Sequence, residues 1–172
     1  RGHQQRRDSW RSREADWYWI VADPLGAGYF GMFSPTAYCG GFLLGVVNSQ
    51  LKAFSFGNSA DADCYLALVA DYALLIDQFT ARTTGQAEHG IRIPRSQIVQ
   101  ALSLVRALRN EAGPAVRVAR ERVAPPAGAF FAEIEGRIST GIEPAFDRLI
   151  DALSGRYFED APEAVGLEQY AG

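Results

Sequence analysis

The chain has 172 residues and a mass of 18.8 kDa, which fits one domain with a sizeable core and is too short for two. Hydrophobic residues make up 48% of the sequence and charged residues 22%, a composition that excludes a wholly disordered chain. With 17 basic and 20 acidic residues the formal net charge is -3, which argues against a dedicated nucleic-acid binder.

The sequence gives no clear signal for a compartment. It begins at Arg1, and no short apolar stretch with a small-residue cleavage site follows, so no signal peptide is visible. The longest weakly polar run, Tyr29 to Leu51, is interrupted by Pro35 and by several glycines, which argues against a transmembrane segment. The two cysteines, Cys39 and Cys64, can form one disulfide or stay reduced, and the localisation stays unknown.

The first third of the chain contains one regular and one irregular region. Aromatic residues near helical spacing predict a first helix over Ser9 to Ala22, which Asp23-Pro24 ends. Leu25 to Phe56 is rich in glycine and aromatic residues, and we interpret it as a structured, partly buried loop region. Within it, the pattern permits a short helix over Phe42 to Leu51.

The strongest periodic pattern follows this region. Apolar residues three and four apart predict an amphipathic helix of about four turns. Asn58 or Ser59 can accept hydrogen bonds from the free amides at its start, and Gly90 can adopt the left-handed conformation that ends a helix. The predicted core face consists of Tyr65, Leu68, Val69, Tyr72, Leu75, Ile76 and Phe79.

A second helix is predicted from Ser96 to Asn110, with Gly113-Pro114 as its end. Because only Gly90 to Arg95 connects it to the preceding helix, the two are predicted to form an antiparallel hairpin. Pro114 to Val123 is then predicted to form a shorter, arginine-rich helix.

Two more helices are predicted near the end. Apolar residues from Phe130 to Ile138 mark the first. Thr140 and Glu143 have the spacing of a capping box, and Pro144 can instead be the first helical residue; either arrangement starts a new helix there. Its predicted core face is Ile142, Phe146, Leu149, Ile150, Leu153 and Tyr157.

No segment alternates polar and apolar residues in the manner of a strand. The predicted fold class is therefore all-α, built from antiparallel helical hairpins with an irregular Gly/aromatic-rich segment near residues 25–56.

Metal chemistry has little support in this chain. The two histidines are His3 and His89, so a zinc helix of the His-Glu-x-x-His type cannot be drawn. Cys39, Cys64 and His89 also lack the paired spacing of zinc ligands. The sequence contains no P-loop and no dinucleotide fingerprint.

A nucleophilic site is the sharper possibility. Gly40 and Gly41 permit backbone conformations that bring amides close to a ligand, and Cys39 can act as a nucleophile if His89 lies beside it. The alternative is a buried small thiol in a tight turn. His89 can equally have a structural role, because a cation is favoured at the negative end of a helix.

Charged residues near the strongest helix allow two interpretations. Arg82, Arg92 and Arg95 surround the Gly90 turn, where they can hold a carboxylate or phosphate or simply be solvated. Asp77 can cap its helix or pair with a neighbouring element.

The residues also resemble a known family. The stretches that carry the resemblance are Phe54-Ser-Phe56, Asp63 to Tyr65, Leu75-Ile-Asp-Gln78, Arg82, Gly85, Gly90-Ile91, Pro94, Phe131 to Ile138, Pro144 to Leu153, Tyr157 and Gly166 to Gly172. They resemble the N-terminal helical part of the DUF885 proteins over most of residues 37–172. The Ile-Asp-Gln helix that ends in Gly-Ile-x-x-Pro is the most specific of these motifs.

The resemblance implies that the catalytic metal site lies outside this chain. DUF885 proteins resemble helical zinc metallopeptidases with a deep cleft, and they carry a His-Glu-Ala-x-Pro-Gly-His helix beyond the region represented here. Nothing in this chain matches that helix, so no metal ligand or catalytic glutamate is carried over. We expect residues 1–172 to be one α-helical domain, the N-terminal part of a larger zinc metallohydrolase of the peptidase or amidase type, and not catalytic alone.

The same resemblance sets the expected partners. Zinc is expected in the complete protein and not in this chain, and the remainder of the same protein, as a C-terminal half or a second chain, is the expected partner. Tyr38, Gly40 and Gly41 are expected on the wall of a cleft that takes a peptide or amide substrate. Two alternatives stay open: a non-catalytic helical interaction module, and a cysteine-dependent hydrolase that uses Cys39.

Overall fold

The computed structural model describes residues 40–58, 60–123 and 128–163. The helices in this part of the chain are α1 (Gly40–Ala53), α2 (Ala60–Glu88), α3 (Arg95–Val116), α4 (Gly128–Arg137), α5 (Glu143–Leu153) and α6 (Arg156–Glu159). A 3-10 turn, Arg120–Arg122, follows α3, and a π-turn, Ile138–Ile142, joins α4 to α5. These residues contain no strand, which confirms the all-α prediction. The predicted helix Ser9–Ala22 lies outside the described residues.

Helix α1 occupies the end of the region that was predicted to be irregular. It extends beyond the predicted Phe42 to Leu51 by two residues at each end. Its buried face places Leu44, Asn48 and Leu51 toward the bundle. Residues 25–39 of the irregular region lie outside the described residues.

Helix α2 starts with a reciprocal set of hydrogen bonds. The Ala60 amide donates to Asn58 Oδ1 over 2.9 Å, while Asp61 Oδ2 accepts from the amides of Asn58 (2.9 Å) and Gly57 (2.6 Å). These backbone donors, with Asn58 first, lower the pKa of Asp61 below its ordinary 3.8. The prediction that Asn58 caps this helix is confirmed; Ser59 lies outside the described residues.

Helix α2 ends as its glycine predicts. Gly90 has a φ of 78° and its amide donates to Ala87 O over 3.0 Å, while the Ile91 amide donates to Gln86 O over 2.9 Å. This is a Schellman motif, which needs a left-handed residue at that position. Pro94 directly precedes α3.

Helix α3 corrects two predictions. It runs through Gly113-Pro114 to Val116, so this dipeptide does not end it, and the predicted helix over Pro114 to Val123 is wrong. Gly113 has no Cβ to collide with the proline ring, so it stays helical. Its carbonyl accepts from the Arg117 amide over 3.0 Å. Beyond it the backbone is extended at Arg117 and Ala119, on either side of Val118.

The capping box predicted at Thr140 does not form, whereas the alternative start at Pro144 agrees with α5, which begins at Glu143 with Pro144 in its first turn. Thr140 Oγ1 donates to Gly136 O over 2.8 Å and caps nothing, and the Glu143 amide donates back to Ile138 O across a π-turn. Helical backbone therefore continues from α4 into α5. Pro144 has no amide hydrogen for the usual α-helical bond, and the wider turn just before it accommodates this loss.

Helix α5 is shorter than predicted. It ends at Leu153, and Gly155, with a φ of 54°, turns the chain into α6. Tyr157 therefore lies on α6 and not on the core face of α5. Its hydroxyl accepts a hydrogen bond from the Ile93 amide over 3.2 Å, which ties α6 to the start of α3.

The helices assemble mainly through partners that are not consecutive. Helix α2 packs closely against α5, α1 against α3, and α3 against α5. Helices α2 and α3 run in opposite directions, as the hairpin prediction requires: Tyr65 Oη donates to Val116 O over 2.8 Å, and residues 89–94 join the opposite ends. Helix α2 packs most closely against α5, whereas α3 packs against both α1 and α5, and the Phe146, Leu149 and Leu153 side chains of α5 are buried.

Helix α2 is long and apolar enough to cross a membrane by length and composition, with a mean hydropathy of 1.3 over its most apolar window. Core helices of globular proteins meet the same criterion. In this bundle α2 buries Tyr65, Val69, Tyr72, Ile76 and Phe79 against its neighbours.

Candidate functional site: two grooves beside α1

A groove lies between α1 and α2, and we call it the α1–α2 groove. Its volume is about 670 Å³. Leu51 and Tyr72 lie buried at its base, whereas Leu74 is 58% exposed and Leu68 41% exposed on the α2 side. The full lining is Val46, Val47, Gln50, Leu51, Ala53, Phe54, Leu68, Asp71, Tyr72, Leu74, Leu75 and Gln78. It is an apolar trough with a few polar groups.

A second groove, the α1–α3 groove, lies on the other side of α1. Its volume is about 450 Å³. Gly41, Gly45 and Ser49 follow one another at four-residue spacing along it, and Phe42, 67% exposed, stands at its edge. The full lining is Gly41, Phe42, Gly45, Val46, Ser49, Gln50, Leu104 and Leu108. Val46 and Gln50 border both grooves, so α1 forms the ridge between them.

A buried polar pair supports this ridge. Tyr72 Oη donates to Asn48 Oδ1 over 2.8 Å, and Asn48 is only 2% exposed. Burial, and secondarily the charge of Glu111, raises the pKa of Tyr72 above its ordinary 10.0. Asn48 Nδ2 has no hydrogen-bond partner within the described residues. The pair therefore fixes the relative position of α1 and α2 with a neutral tyrosine.

Two carboxylates elsewhere on the bundle are each held by an arginine. Asp77 accepts two hydrogen bonds from Arg148 at 2.9 Å, which confirms that it pairs with a neighbouring element. Asp147 pairs with Arg109 in the same way at 2.6 and 3.0 Å. The guanidinium of Arg109 lowers the pKa of Asp147 below its ordinary 3.8. Such paired, ionised carboxylates are poorly suited to act as general bases.

Two of the three arginines near the Gly90 turn, Arg92 and Arg95, bind carboxylates of this same chain. Arg92 lies 3.5 Å from Asp160. Arg95 pairs with Glu163 and also donates to the carbonyl oxygen of Glu159 over 2.8 Å. The predicted capacity of these side chains to hold a carboxylate is thus used internally, to fasten residues 159–163 beside the start of α3.

The predicted site residues are not brought together. Tyr38 and Cys39 lie outside the described residues, so the pairing of Cys39 with His89 stays a prediction. His89 is exposed, and its Nδ1 lies 2.9 Å from Gly85 O, to which it donates. This contact fits the structural role at the end of α2.

Gly40 and Gly41 form the first turn of α1, and both are buried. The described glycines with a positive φ are Gly90 and Gly155, so neither member of the pair uses the unusual backbone that we expected. Gly41 does line the α1–α3 groove.

The donor groups in the described part of the chain do not fit a zinc ion. No three His, Cys, Asp or Glu side chains converge there. Cys64 is exposed on α2. We therefore assign no zinc ligand to the described residues and derive no step through a metal.

Comparison of the chain with protein-family models, with curated proteins and with solved structures gives no match. Most of the groove residues were missed by the sequence analysis. One available signal was the repeat of small residues Gly41, Gly45 and Ser49, which leaves room beside a helix. The contribution of Leu104 and Leu108 had no local signal, because α1 and α3 are not consecutive.

Proposed function

We propose that this chain is the N-terminal helical portion of a DUF885-like zinc metallohydrolase of the peptidase or amidase type. In this proposal the outer face of α1 forms one wall of the substrate cleft. The zinc ion, its activated water and the general base come from polypeptide outside this sequence, which is also the binding partner of this chain.

The observation that carries the proposal is the α1–α3 groove. An extended peptide or amide needs a trough with room for its side chains and a few polar groups for its backbone. Gly41 and Gly45 provide the room, Leu104 and Leu108 provide apolar contact, and Gln50 offers an amide at the rim. Of the predicted wall residues Tyr38, Gly40 and Gly41, the last lines this groove directly.

Contacts between the resembling segments add support. Phe54 and Phe56 pack on each other and on Tyr65 with ring centroids 4.9 to 5.3 Å apart, and Phe130 closes the cluster. Burial in this cluster raises the pKa of Tyr65 to about 12. Two of the resembling segments, with Phe130 directly before a third, thus pack together, as expected if the resemblance reflects a shared fold.

To test this proposal, this chain is expressed as one protein with the polypeptide encoded downstream of Gly172. We expect that polypeptide to contain a His-Glu-Ala-x-Pro-Gly-His stretch, and the joined protein to bind about one zinc ion and to cleave members of a peptide or amide library. Metal analysis and a mass-spectrometric cleavage assay measure both. A joined protein without zinc and without cleavage contradicts the proposal, and a stop codon directly after Gly172 favours the interaction module.

A single variant distinguishes a role of the α1–α3 groove in substrate binding from a role in folding. Ser49→Trp fills the α1–α3 groove from an exposed position, so we expect KM to rise severalfold with zinc content unchanged. Ser103→Trp is the matched control, since Ser103 is exposed on α3 outside the groove lining. Equal KM values for the two variants would place the substrate elsewhere.

A further inference from the structure

The proposed function does not use the α1–α2 groove. The α2 side of this groove is unusually apolar for an exposed surface. Leu68 and Leu74 are large, exposed side chains one and a half turns apart on α2. Asp71 lies between them and is the charged residue of the lining. Apolar troughs of this kind mark binding sites for an amphipathic segment.

A suitable segment precedes α1 in the same chain. Residues 1–39 join α1 directly, and they include Trp10, Trp17 and Val21 at spacings that place them on one helical face. Arg11 and Arg13 in this stretch are balanced by Glu14 and Asp16, so its match to the groove lies in its aromatic and apolar residues and not in its net charge. We propose that residues 10–21 of this chain bind in the α1–α2 groove.

The dimensions agree with this occupant. A 12-residue helical segment is about 18 Å long, and the α2 wall from Leu68 to Gln78 rises by about 15 Å. The chain between Val21 and Gly40 can span up to about 60 Å when extended, whereas all of α1 measures about 21 Å. The tether therefore reaches the groove, and it keeps the segment at an effective concentration in the millimolar range.

This inference and the proposed function concern two different grooves, which share only Val46 and Gln50 along the ridge. Failure of this inference would leave the substrate wall in place, and failure of the proposed function would leave the intramolecular contact in place.

The tryptophans provide the readout, because all three of them, Trp10, Trp17 and Trp19, lie in the proposed segment. In the full chain, Leu74→Glu and Leu68→Glu place a charge on the groove wall at exposed positions. We expect each to shift the tryptophan emission to longer wavelength and to raise the Stern–Volmer constant for iodide and acrylamide quenching severalfold. Circular dichroism checks that the helices persist.

Val99→Glu is the matched control, since Val99 is 57% exposed on α3 and lines neither groove. It should leave emission and quenching at their wild-type values. Two results would overturn the inference: wild-type tryptophans as accessible as free tryptophan, or an equal response to the control and to both groove variants.

A second measurement does not depend on destabilising variants. A nitroxide attached at Gln78→Cys, which lines only the α1–α2 groove, with Cys39 and Cys64 replaced by serine, should quench the tryptophan emission, whereas one attached at Ser103→Cys should quench it far less. The quenching should persist on dilution. Quenching that disappears on dilution would assign the groove to a second copy of the chain, and equal quenching from both sites would place the segment elsewhere; either result overturns the inference.

Discussion

The two sides of α2 are built from the same residue types but differ in how they are covered. On the side facing α5, Phe146 packs edge-on against the Tyr72 ring, 6.1 Å between centroids, and the Asp77–Arg148 pair fastens the outer edge. On the side facing α1, Leu74 is exposed in an open groove. Close packing and paired charges thus belong to one side of the helix.

This difference distinguishes two roles of apolar residues, stabilising the fold and forming a binding surface. On the α5 side they stabilise the bundle, and removing atoms there leaves a cavity. On the α1 side the exposed leucines, Leu68 and Leu74, contribute little to folding in the described bundle, because they remain accessible to water. Their presence is better explained by a binding surface.

The largest expected effect compares two phenylalanines. Phe146→Ala should lower the free energy of unfolding by about 3–5 kcal/mol, because the side chain is fully buried between α5 and α2. Phe42→Ala, at the edge of the α1–α3 groove, should change it by less than about 0.5 kcal/mol. Urea denaturation measures both, and similar losses would remove the distinction between buried apolar residues and those exposed at a groove.

The second effect concerns the polar pair under the ridge. Tyr72→Phe removes the donor to buried Asn48 Oδ1 and should cost about 1–3 kcal/mol of unfolding free energy. Adding Asn48→Leu to this variant removes the unsatisfied amide and should recover most of the loss. If the double variant is less stable than Tyr72→Phe alone, the pair does not act as a single unit.

The third effect compares two glycines, Gly45 on α1 and Gly113 on α3, that differ in the space available for an added Cβ. At Gly45 an added Cβ meets Leu108 Cδ2 at 3.8 Å, an ordinary contact, so Gly45→Ala should stabilise the protein by about 0.5–1 kcal/mol. At Gly113 it would approach Arg117 Nη1 at 3.1 Å and would crowd the following Pro114, so Gly113→Ala should destabilise by about 1 kcal/mol. Thermal unfolding distinguishes the two, and gains at both sites would contradict the comparison.

The smallest effect is electrostatic. Because Arg109 lowers the folded-state pKa of Asp147, the stability from this carboxylate is present above its ordinary pKa of 3.8 and is lost as the pH falls through the lowered value. Asp147→Asn should cost no more than about 1 kcal/mol at neutral pH, since the pair is largely exposed. The difference from wild type should vanish at lower pH.

Asp151→Asn is the control for that experiment, because Asp151 is exposed on the same helix as Asp147 and lines neither groove. It should change the neutral-pH unfolding free energy by less than about 0.5 kcal/mol. A pH-independent cost of Asp147→Asn would mean that its pair with Arg109 contributes through packing and not through charge.

The features that the sequence predicts well are local. Helix α2 was identified from its apolar period, and both of its ends follow from neighbouring residues: Asn58 accepts the first amides, and Gly90 takes the left-handed conformation. Such contacts span at most five residues, so the pattern contains the information needed.

The errors share a tertiary origin. Gly113-Pro114 looks like a helix end, yet Ala115 and Val116 are fully or nearly fully buried and hold the last turn in place. Thr140 looks like a cap, yet the shared core face of α4 and α5 keeps the chain helical. In both places the burial of side chains outweighs the local sequence signal for a helix end. That burial depends on helices that are distant in sequence.

The site was predicted only in part for the same reason. Gly41 was placed on the expected wall, but the grooves arise where α1 meets α2 and α3, and no residue pattern specifies that meeting.

The π-turn between α4 and α5 also has a consequence for how this bundle tolerates changes in length. A turn that closes five residues back accommodates one residue more than an α-helical turn. A chain lacking one residue among 139–141 would form a regular helix in which the Pro144 ring meets the carbonyl of the preceding turn. The additional residue of the π-turn is therefore what lets continuous helical backbone contain Pro144, and we expect a deletion there to destabilise the bundle.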